Sequence, residues 1–298
     1  MLLAAVSVLA TLCFGAASAS LTCRSESQPN PIPITGGENP TGTINGTLAI
    51  LPIPLAEARR IIDEKYIIET AAYGSLLPYF PIDMYPALIQ AVVDHDVRAK
   101  GLSIPDFTRI SIEYPFLSIP EANTSTLFRY APIQAISADN PIAIAGSVAY
   151  GTRVLPVNFD PPCDGYASMM PASMLTHLDA KKEFGDKVFT TTFATAGGTG
   201  AENVNPYPLS FFVNVTNQPS FVDPMKGCDR QVRLFDTVIS QAPWKPVVVK
   251  GGVWASGEVY PGDLVRDRDG EGRRWHGAWG VRVDTSFIEY NLIKCGTL

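Results

Sequence analysis

The sequence predicts a mainly β protein with a few short helices, and two observations lead to that prediction. Residues 107–117, FTRISIEYPFL, alternate along the chain, so Ile110 and Ile112 face one side of a strand while Arg109 and Glu113 face the other. Several more short apolar segments follow, most of them separated by Gly, Pro, Asn or Asp. Many short strands with frequent turn signals are typical of a sandwich or barrel. We therefore expect a closed or double-layered antiparallel barrel.

The remaining elements follow from periodicity. Apolar residues at positions 55, 58, 61 and 62 predict a short amphipathic helix over 55–64, and a similar pattern predicts a second helix over 82–93. Further strands are predicted in the rest of the chain, at 126–136, 141–151, 187–196, 209–218, 230–240, 245–256 and 281–293.

The N-terminus predicts three regions. An uncharged apolar run followed by Ala17-Ser18-Ala19, a small-residue cleavage pattern, predicts a signal peptide over 1–19. The alternative is a membrane anchor, but the run is shorter than the roughly 20 residues that a span requires. Residues 20–43 are rich in Pro and Gly and predict an extended arm, and 44–298 then form a single β-barrel domain. No later segment is apolar over a length that spans a bilayer.

Sequons and cysteines agree with the secretory pathway. Asn45, Asn123 and Asn214 each begin an N-x-S/T sequon, so we expect a glycoprotein, secreted or vacuolar, with each sequon at the surface. Four cysteines remain after the signal peptide, and an even number in an oxidising compartment predicts two disulfides with three possible connectivities. We favour the two pairs Cys23–Cys295 and Cys163–Cys228.

Composition and motifs limit the kinds of ligand, cofactor and macromolecular partner that the sequence predicts. A net charge of −6 and a pI of about 5.1 argue against nucleic acid. Cysteines without a CxxC and histidines without short spacing predict no metal site. The glycine-rich stretches 197–200 and 251–252 do not open a helix after a strand, so no nucleotide cofactor is implied. A hydrophobic content of 46% with only 17% charged residues favours an apolar small-molecule ligand. The oligomeric state stays open.

One segment carries a family resemblance. Residues 140–162, NPIAIAGSVAYGTRVLPVNFDPP, resemble the segment of acetoacetate decarboxylase-like proteins that bears their Schiff-base lysine. The resemblance implies that family's β-barrel and places the lysine near Val154 or Leu155, next to Arg153. Arginine stays protonated and cannot form an imine. The resemblance therefore implies the scaffold without its covalent catalyst.

A cofactor-free enzyme is the first functional hypothesis. Pericyclic reactions require orientation and carbonyl polarisation but no nucleophile. In outline, with a signal peptide, sequons and about 300 residues, the chain also resembles the glycosylated hetero-Diels–Alderases of fungal tropolonic sesquiterpenoid pathways. That resemblance implies a secondary-metabolite cyclase or lyase that joins a tropolone-derived quinone methide to a terpenoid alkene.

Candidate site residues follow from this hypothesis. Arg109, Arg129 and Arg153 are candidate hydrogen-bond donors, Glu113 shares the strand face of Arg109, and His95 is a candidate base between two aspartates. Candidate substrate-binding residues are Tyr130, Tyr150 and Trp275. These residues can instead have structural roles. The strand face that carries Arg109 can lie on the outer surface, the segment around His95 can be the end of a helix, and Trp275 can brace a loop.

Two other functions stay open. A secreted barrel can carry an apolar ligand without changing it. A lyase can instead use a displaced lysine, either Lys250 or Lys182.

Overall fold

The described residues of this computed structural model are 25, 27–33, 39–122, 125–170, 173–196, 204–260 and 272–298. They form four α-helices: α1 (Leu55–Ile61), α2 (Thr70–Leu76), α3 (Pro141–Ala149) and α4 (Leu209–Thr216). Short 3₁₀ turns lie at Val238–Ser240 and Cys295–Thr297. No helix within these ranges has the length and apolar character needed to cross a bilayer.

Strands dominate the described chain, which confirms the prediction of a mainly β protein with a few short helices. In chain order they are β1 (Thr41–Pro54), β2 (Ile67–Ile68), β3 (Met84–Ala99), β4 (Leu102–Ile104), β5 (Phe107–Ser118), β6 (Phe128–Tyr130), β7 (Ile133–Ser137), β8 (Arg153–Asp160), β9 (Ala167–Ser168), β10 (Leu175–Lys181), β11 (Lys187–Thr195), β12 (Ser220–Phe221), β13 (Cys228–Leu234), β14 (Val247–Ser256) and β15 (Gly272–Ile293).

The strands pair into two closed circuits that share one wall. The shared wall is β15-β1-β3-β5. The first circuit returns from β5 to β15 through β7, β8, β10, β11 and β14, and the second returns through β6, β12 and β13. The first part of β15 pairs with β14, and its end pairs with β13, so this 22-residue strand belongs to both circuits. The sheet is closed, as expected, but it is not purely antiparallel, since β7–β8 and β6–β12 pair in parallel.

Three predicted elements are wrong. The helix predicted over 82–93 is a strand from residue 84 onward, because these residues belong to β3. This strand is paired on both edges and mostly buried, so its apolar run shows no strand alternation. Segments 141–151 and 209–218 were predicted as strands but contain helices α3 and α4. Helix α3 begins at an Asn140 cap, whose side chain accepts a hydrogen bond from the Ala143 N–H at 2.9 Å, with Pro141 in its first turn. Helix α1 confirms most of the helix predicted over 55–64.

The described residues of the predicted arm over 20–43 are hydrogen-bonded to aspartate side chains of the barrel domain. The backbone N–H groups of Ser25, Gln28 and Asn30 donate to Asp106, Asp284 and Asp96 respectively, at 2.9–3.2 Å. Strand β1 already begins at Thr41, slightly before the predicted end of the arm.

The predicted disulfide pairing is wrong. Cys228 and Cys295 are bonded to each other, because β13 runs antiparallel to β15 with Cys228 opposite Ile293, two residues from Cys295. Cys163 is also disulfide-bonded. Cys23 lies outside the described residues.

The sequons differ in their environments. Asn214 is exposed on α4, as expected of a glycan acceptor. Asn45 is half-buried within β1, where its Nδ2 donates to Asp284 and its Oδ1 is enclosed. The expectation of a surface position therefore fails at Asn45, because both edges of β1 are paired there. Asn123 lies outside the described residues, as does the predicted signal peptide.

Candidate active site

The second circuit holds a cavity of about 220 Å³. Side chains from six of its seven strands line it, together with β7 and one face of α3. Its charged lining residues are Asp94, Arg109, Glu113, Arg129, Asp229, Arg233 and Glu289. Apolar residues also line it, namely Val97, Ile104, Phe107, Ile142, Phe221 and Phe287. The cavity lining thus combines charged and apolar residues.

Two of the arginines are paired with carboxylates. Arg109 Nε lies 2.5 Å from Asp94 Oδ2. Arg129 Nε lies 2.6 Å from Glu113 Oε2, an ion pair without hydrogen-bond geometry, and its Nη1 donates to the Val215 and Thr216 carbonyls at the end of α4, at 3.0 and 2.8 Å. The charge of each of these two guanidinium groups is therefore matched by a neighbouring carboxylate.

Arg233 is different, because within the described part of the chain no carboxylate forms an ion pair with its guanidinium, whereas Arg109 and Arg129 each have one. The residue is 2% exposed. Its Nη2 donates to Gln90 and Gln231, whereas Nε and Nη1 have no hydrogen-bond partner within the described part of the chain. Burial and the neighbouring Arg109 and Arg129 lower the pKa of Arg233 to about 9. A buried charge with unsatisfied donors is strongly destabilising unless a counter-charge reaches it, so this side chain is suited to bind an anion.

A carboxyl pair faces the same space. The side chains of Asp229 and Glu289 are diagonal neighbours on one face of β13 and β15, because Glu289 pairs with Gln231, two residues along β13 from Asp229. Burial raises the pKa of Asp229 to about 6, and burial with the neighbouring Asp229 charge raises the pKa of Glu289 well above its ordinary value. At least one of the two is therefore protonated near neutral pH.

Helix α3 and the residue that follows it close one side of the cavity. Ser147 Oγ donates to Gln134 Oε1 at 2.9 Å. Tyr150 Oη donates to Asn291 Oδ1 at 2.6 Å and accepts the Leu292 N–H at 3.0 Å. These contacts hold the helix against β7 and β15, although none of its own residues is fully buried.

Four of the eight predicted catalytic and binding residues line this cavity: Arg109, Glu113, Arg129 and Tyr150. The polar face of β5 is thus the inner one. Tyr130 follows Arg129 in β6 and therefore points the other way, into an aromatic cluster with Tyr66 and Phe221.

The other three predicted residues do not line the cavity. His95 follows the lining residue Asp94 in β3, so its side chain leaves the opposite face of the sheet, and its Nδ1 lies 2.8 Å from Asp106 Oδ2. Arg153 is exposed on β8 and donates to the Glu258 carbonyl. Trp275 packs edge-on against Tyr260 at 5.0 Å, as a structural brace.

Sequence reasoning missed Asp229, Arg233 and Glu289. The feature that could have revealed them is a polar residue at every second position, which places Asp229, Gln231 and Arg233 on one face of β13. The same period repeats at 287, 289 and 291 in β15. Each run was predicted as a strand, but the polar face of a strand is usually the outer one.

The lysines lie elsewhere. Lys250 Nζ sits 4.6 Å from the ring centroid of Trp279, and Lys182 Nζ pairs with Glu258 at 2.6 Å. Neither residue, and no other lysine of the described ranges, lines the cavity.

Comparisons with known proteins add solved structures only. No family model and no curated protein matches the chain. The enduracididine biosynthesis enzyme MppR, complexed with the condensation product of pyruvate and imidazole 4-carboxaldehyde, is 9% identical, with 84% of this chain and 86% of that chain covered and a TM-score of 0.43. An acetoacetate decarboxylase-like enzyme from Sphingomonas wittichii RW1 is 6% identical, with 85% and 91% covered and a TM-score of 0.39. Likenesses at this level carry no argument about the activity of this chain.

Proposed function

We propose that this protein is a small-molecule enzyme whose cavity binds a substrate oxyanion at Arg233. The observation that carries the proposal is the buried guanidinium with two nitrogens free, facing a cavity whose other two arginines are already paired. An oxyanion placed against Nε and Nη1 forms charge-assisted hydrogen bonds and removes the desolvation penalty of the free charge.

The reaction that we propose is a hetero-Diels–Alder cyclisation. A hydroxymethyl-substituted tropolone carries both an acidic oxygen for Arg233 and a hydroxyl that leaves as water to give a quinone methide. The methide carbon and the carbonyl oxygen then bond to the two carbons of an alkene, with no further gain or loss of atoms. The charged lining residues suit the tropolone, and the apolar lining residues, among them Phe107 and Phe287, suit a terpenoid alkene. Orientation and carbonyl polarisation then accelerate the addition.

This proposal revises the ligand expected from composition. A solely apolar ligand would leave Arg233 unpaired. The two reactants proposed here differ in polarity, and only the alkene is apolar. A secretory location belongs to the same proposal, supported by the exposed sequon residue Asn214 and the Cys228–Cys295 disulfide.

Product analysis tests the reaction. The full-length protein, expressed in a eukaryotic host, is incubated with a hydroxymethyl tropolone and a humulene-type alkene. We expect a product whose mass is the sum of the two minus water, absent from the boiled control. Recovery of both compounds unchanged, with one bound to the protein, would instead make this a carrier. Loss of carbon dioxide from a keto acid would restore the lysine-dependent lyase.

A further inference from the structure

We infer that Asp229 and Glu289 act together as the general acid of this cavity, delivering the proton that lets the substrate hydroxyl leave as water. The inference rests on the proposed function, since it assigns the proton donor for a substrate held at Arg233. It names two catalytic residues that the sequence did not indicate.

The first argument is geometric. Glu289 pairs with Gln231 across the two strands, and Asp229 precedes Gln231 by two residues, so the two carboxyl side chains are diagonal neighbours on one face. Two carboxylates this close in an enclosed site repel each other, which favours a proton on one of them. Both side chains line the cavity that Arg233 also lines. A proton source and an anion-binding group therefore face one enclosed space.

The second argument is the backbone that positions the pair. The register of β13 against β15 shifts between Cys228 and Arg230, where two steps of β13 face three steps of β15, so Asp229 lies opposite an extra residue of β15, a β-bulge near Leu292, whose φ is 52°. Bulges re-aim side chains and recur next to active sites. The Cys228–Cys295 disulfide lies directly beside this bulge and ties β13 to the end of β15.

The third argument is the charge that surrounds the pair. Four elements present charged or titratable groups toward the cavity besides the pair itself: Asp94 from β3, Arg109 and Glu113 from β5, Arg129 from β6 and Arg233 from β13, with Tyr150 following α3. Asp94 and Glu113 are matched by Arg109 and Arg129. If both Asp229 and Glu289 were ionised, the cavity would hold one more negative than positive charge even with Arg233 charged, which disfavours full ionisation of the pair. Neither carboxyl forms an ion pair with Arg233, so the anion-binding position stays open.

The proposed step balances. On binding, the substrate's acidic hydroxyl loses its proton, and its oxyanion lies at Arg233. The carboxyl pair donates a proton to the hydroxymethyl oxygen, the C–O bond breaks, and water departs. The oxyanion electrons form the new carbonyl of the quinone methide. One proton is released on binding and one is consumed, so the pair regains its proton before the next turnover.

The test combines two variants with two substrates. We expect Glu289→Gln and Asp229→Asn to slow product formation from the hydroxymethyl tropolone by about 10²-fold or more, whereas binding of tropolone itself changes little. With an acetoxymethyl tropolone, whose acetate leaves without protonation, both variants should recover to within a few-fold of the unmodified protein. Glu64→Gln, at an exposed site, is the matched control.

The outcomes separate this inference from the proposed function. Normal rates in both variants, or equal losses with both substrates, would overturn the general-acid role. If the unmodified protein fails to bind tropolone, the proposed function itself fails. The pH profile adds a further readout: the unmodified protein should lose rate as the pair deprotonates with rising pH, and Glu289→Gln should lose that dependence.

Discussion

At the scale of single residues, the site depends on which charges find partners. Three arginines line the cavity, and they differ in what they contact. Arg109 and Arg129 each face a carboxylate at 2.5–2.6 Å, whereas the guanidinium of Arg233 donates to the amide oxygens of Gln90 and Gln231 and has no ion pair among the described residues. Two neutral acceptors do not offset a buried positive charge. The unmatched residue, and not the number of arginines, therefore identifies the binding position.

Residue-level prediction from the sequence succeeded where alternation along one strand was sufficient. Arg109 and Glu113 were recognised as a face of β5, but one strand cannot tell whether that face is inside a barrel. Arg233, Asp229 and Glu289 lie more than a hundred residues from Arg109 in the sequence. They meet it only because the circuit closes, which no local pattern encodes.

At the scale of elements, the errors have one cause. Uniformly apolar segments hide their periodicity, so β3 resembled a helix while α3 and α4 resembled strands. For α3 the deciding features were local, namely the Asn140 cap followed by Pro141. The disulfide pairing could not be predicted, because it depends on the β13–β15 register.

Two glycines give a matched test of how tightly the elements pack. A Cβ added at Gly46 in β1 would lie 2.2 Å from the Ala91 carbonyl oxygen of β3, whereas one added at Gly74 in α2 meets nothing within 4 Å. We expect Gly46→Ala to lower the free energy of unfolding by more than about 2 kcal/mol. Gly74→Ala should raise it by about 0.5–1 kcal/mol, because alanine favours helix. Denaturant titration measures both, and equal effects would contradict the packing described for the shared wall.

At the scale of the whole molecule, closure of two circuits around one wall creates the cavity. The shared strands bring Asp94, Arg109 and Glu289 together, and β6 and β13 complete the enclosure. The prediction of a mainly β, closed sheet was confirmed, because many short strands separated by turn residues specify that class. The double circuit was not predictable, since it depends on long-range pairing of β15 with both β13 and β14.

The buried ionisable groups predict greatest stability at mildly acidic pH. Burial raises the pKa values of Asp229 and Asp284 from 3.8 to about 6, so the folded state holds more protons than the unfolded state between those values. Stability therefore falls as pH rises from about 4 to 6, by on the order of 1–2 kcal/mol for Asp284. The hydrogen bond to Asp106 raises the pKa of His95 above its ordinary value of 6.5. The stability that protonated His95 contributes is therefore fully present below pH 6.5 and is lost as pH rises through the raised pKa.

Below pH 4, Asp106 changes stability with pH in the opposite direction to Asp229 and Asp284. Despite burial, the His95 hydrogen bond lowers the pKa of Asp106 below 3.8, so that contribution is lost only as pH falls through the lowered value. Chemical unfolding across pH 3–8 should show a maximum near pH 4–5. A maximum at pH 7 or above would contradict the charge states assigned to these buried groups.

The measurement that tests the central claim most directly is calorimetric titration of the full-length protein, expressed in a eukaryotic host, with tropolone. Arg233→Met keeps an unbranched apolar stem and removes the guanidinium with its charge and donors, and Arg153→Met is the exposed control. We predict saturable binding by the unmodified protein and by Arg153→Met, and binding weakened by about 10²-fold in Arg233→Met, which loses charge-assisted hydrogen bonds. Equal binding by all three proteins, or by none, would contradict an oxyanion site at Arg233.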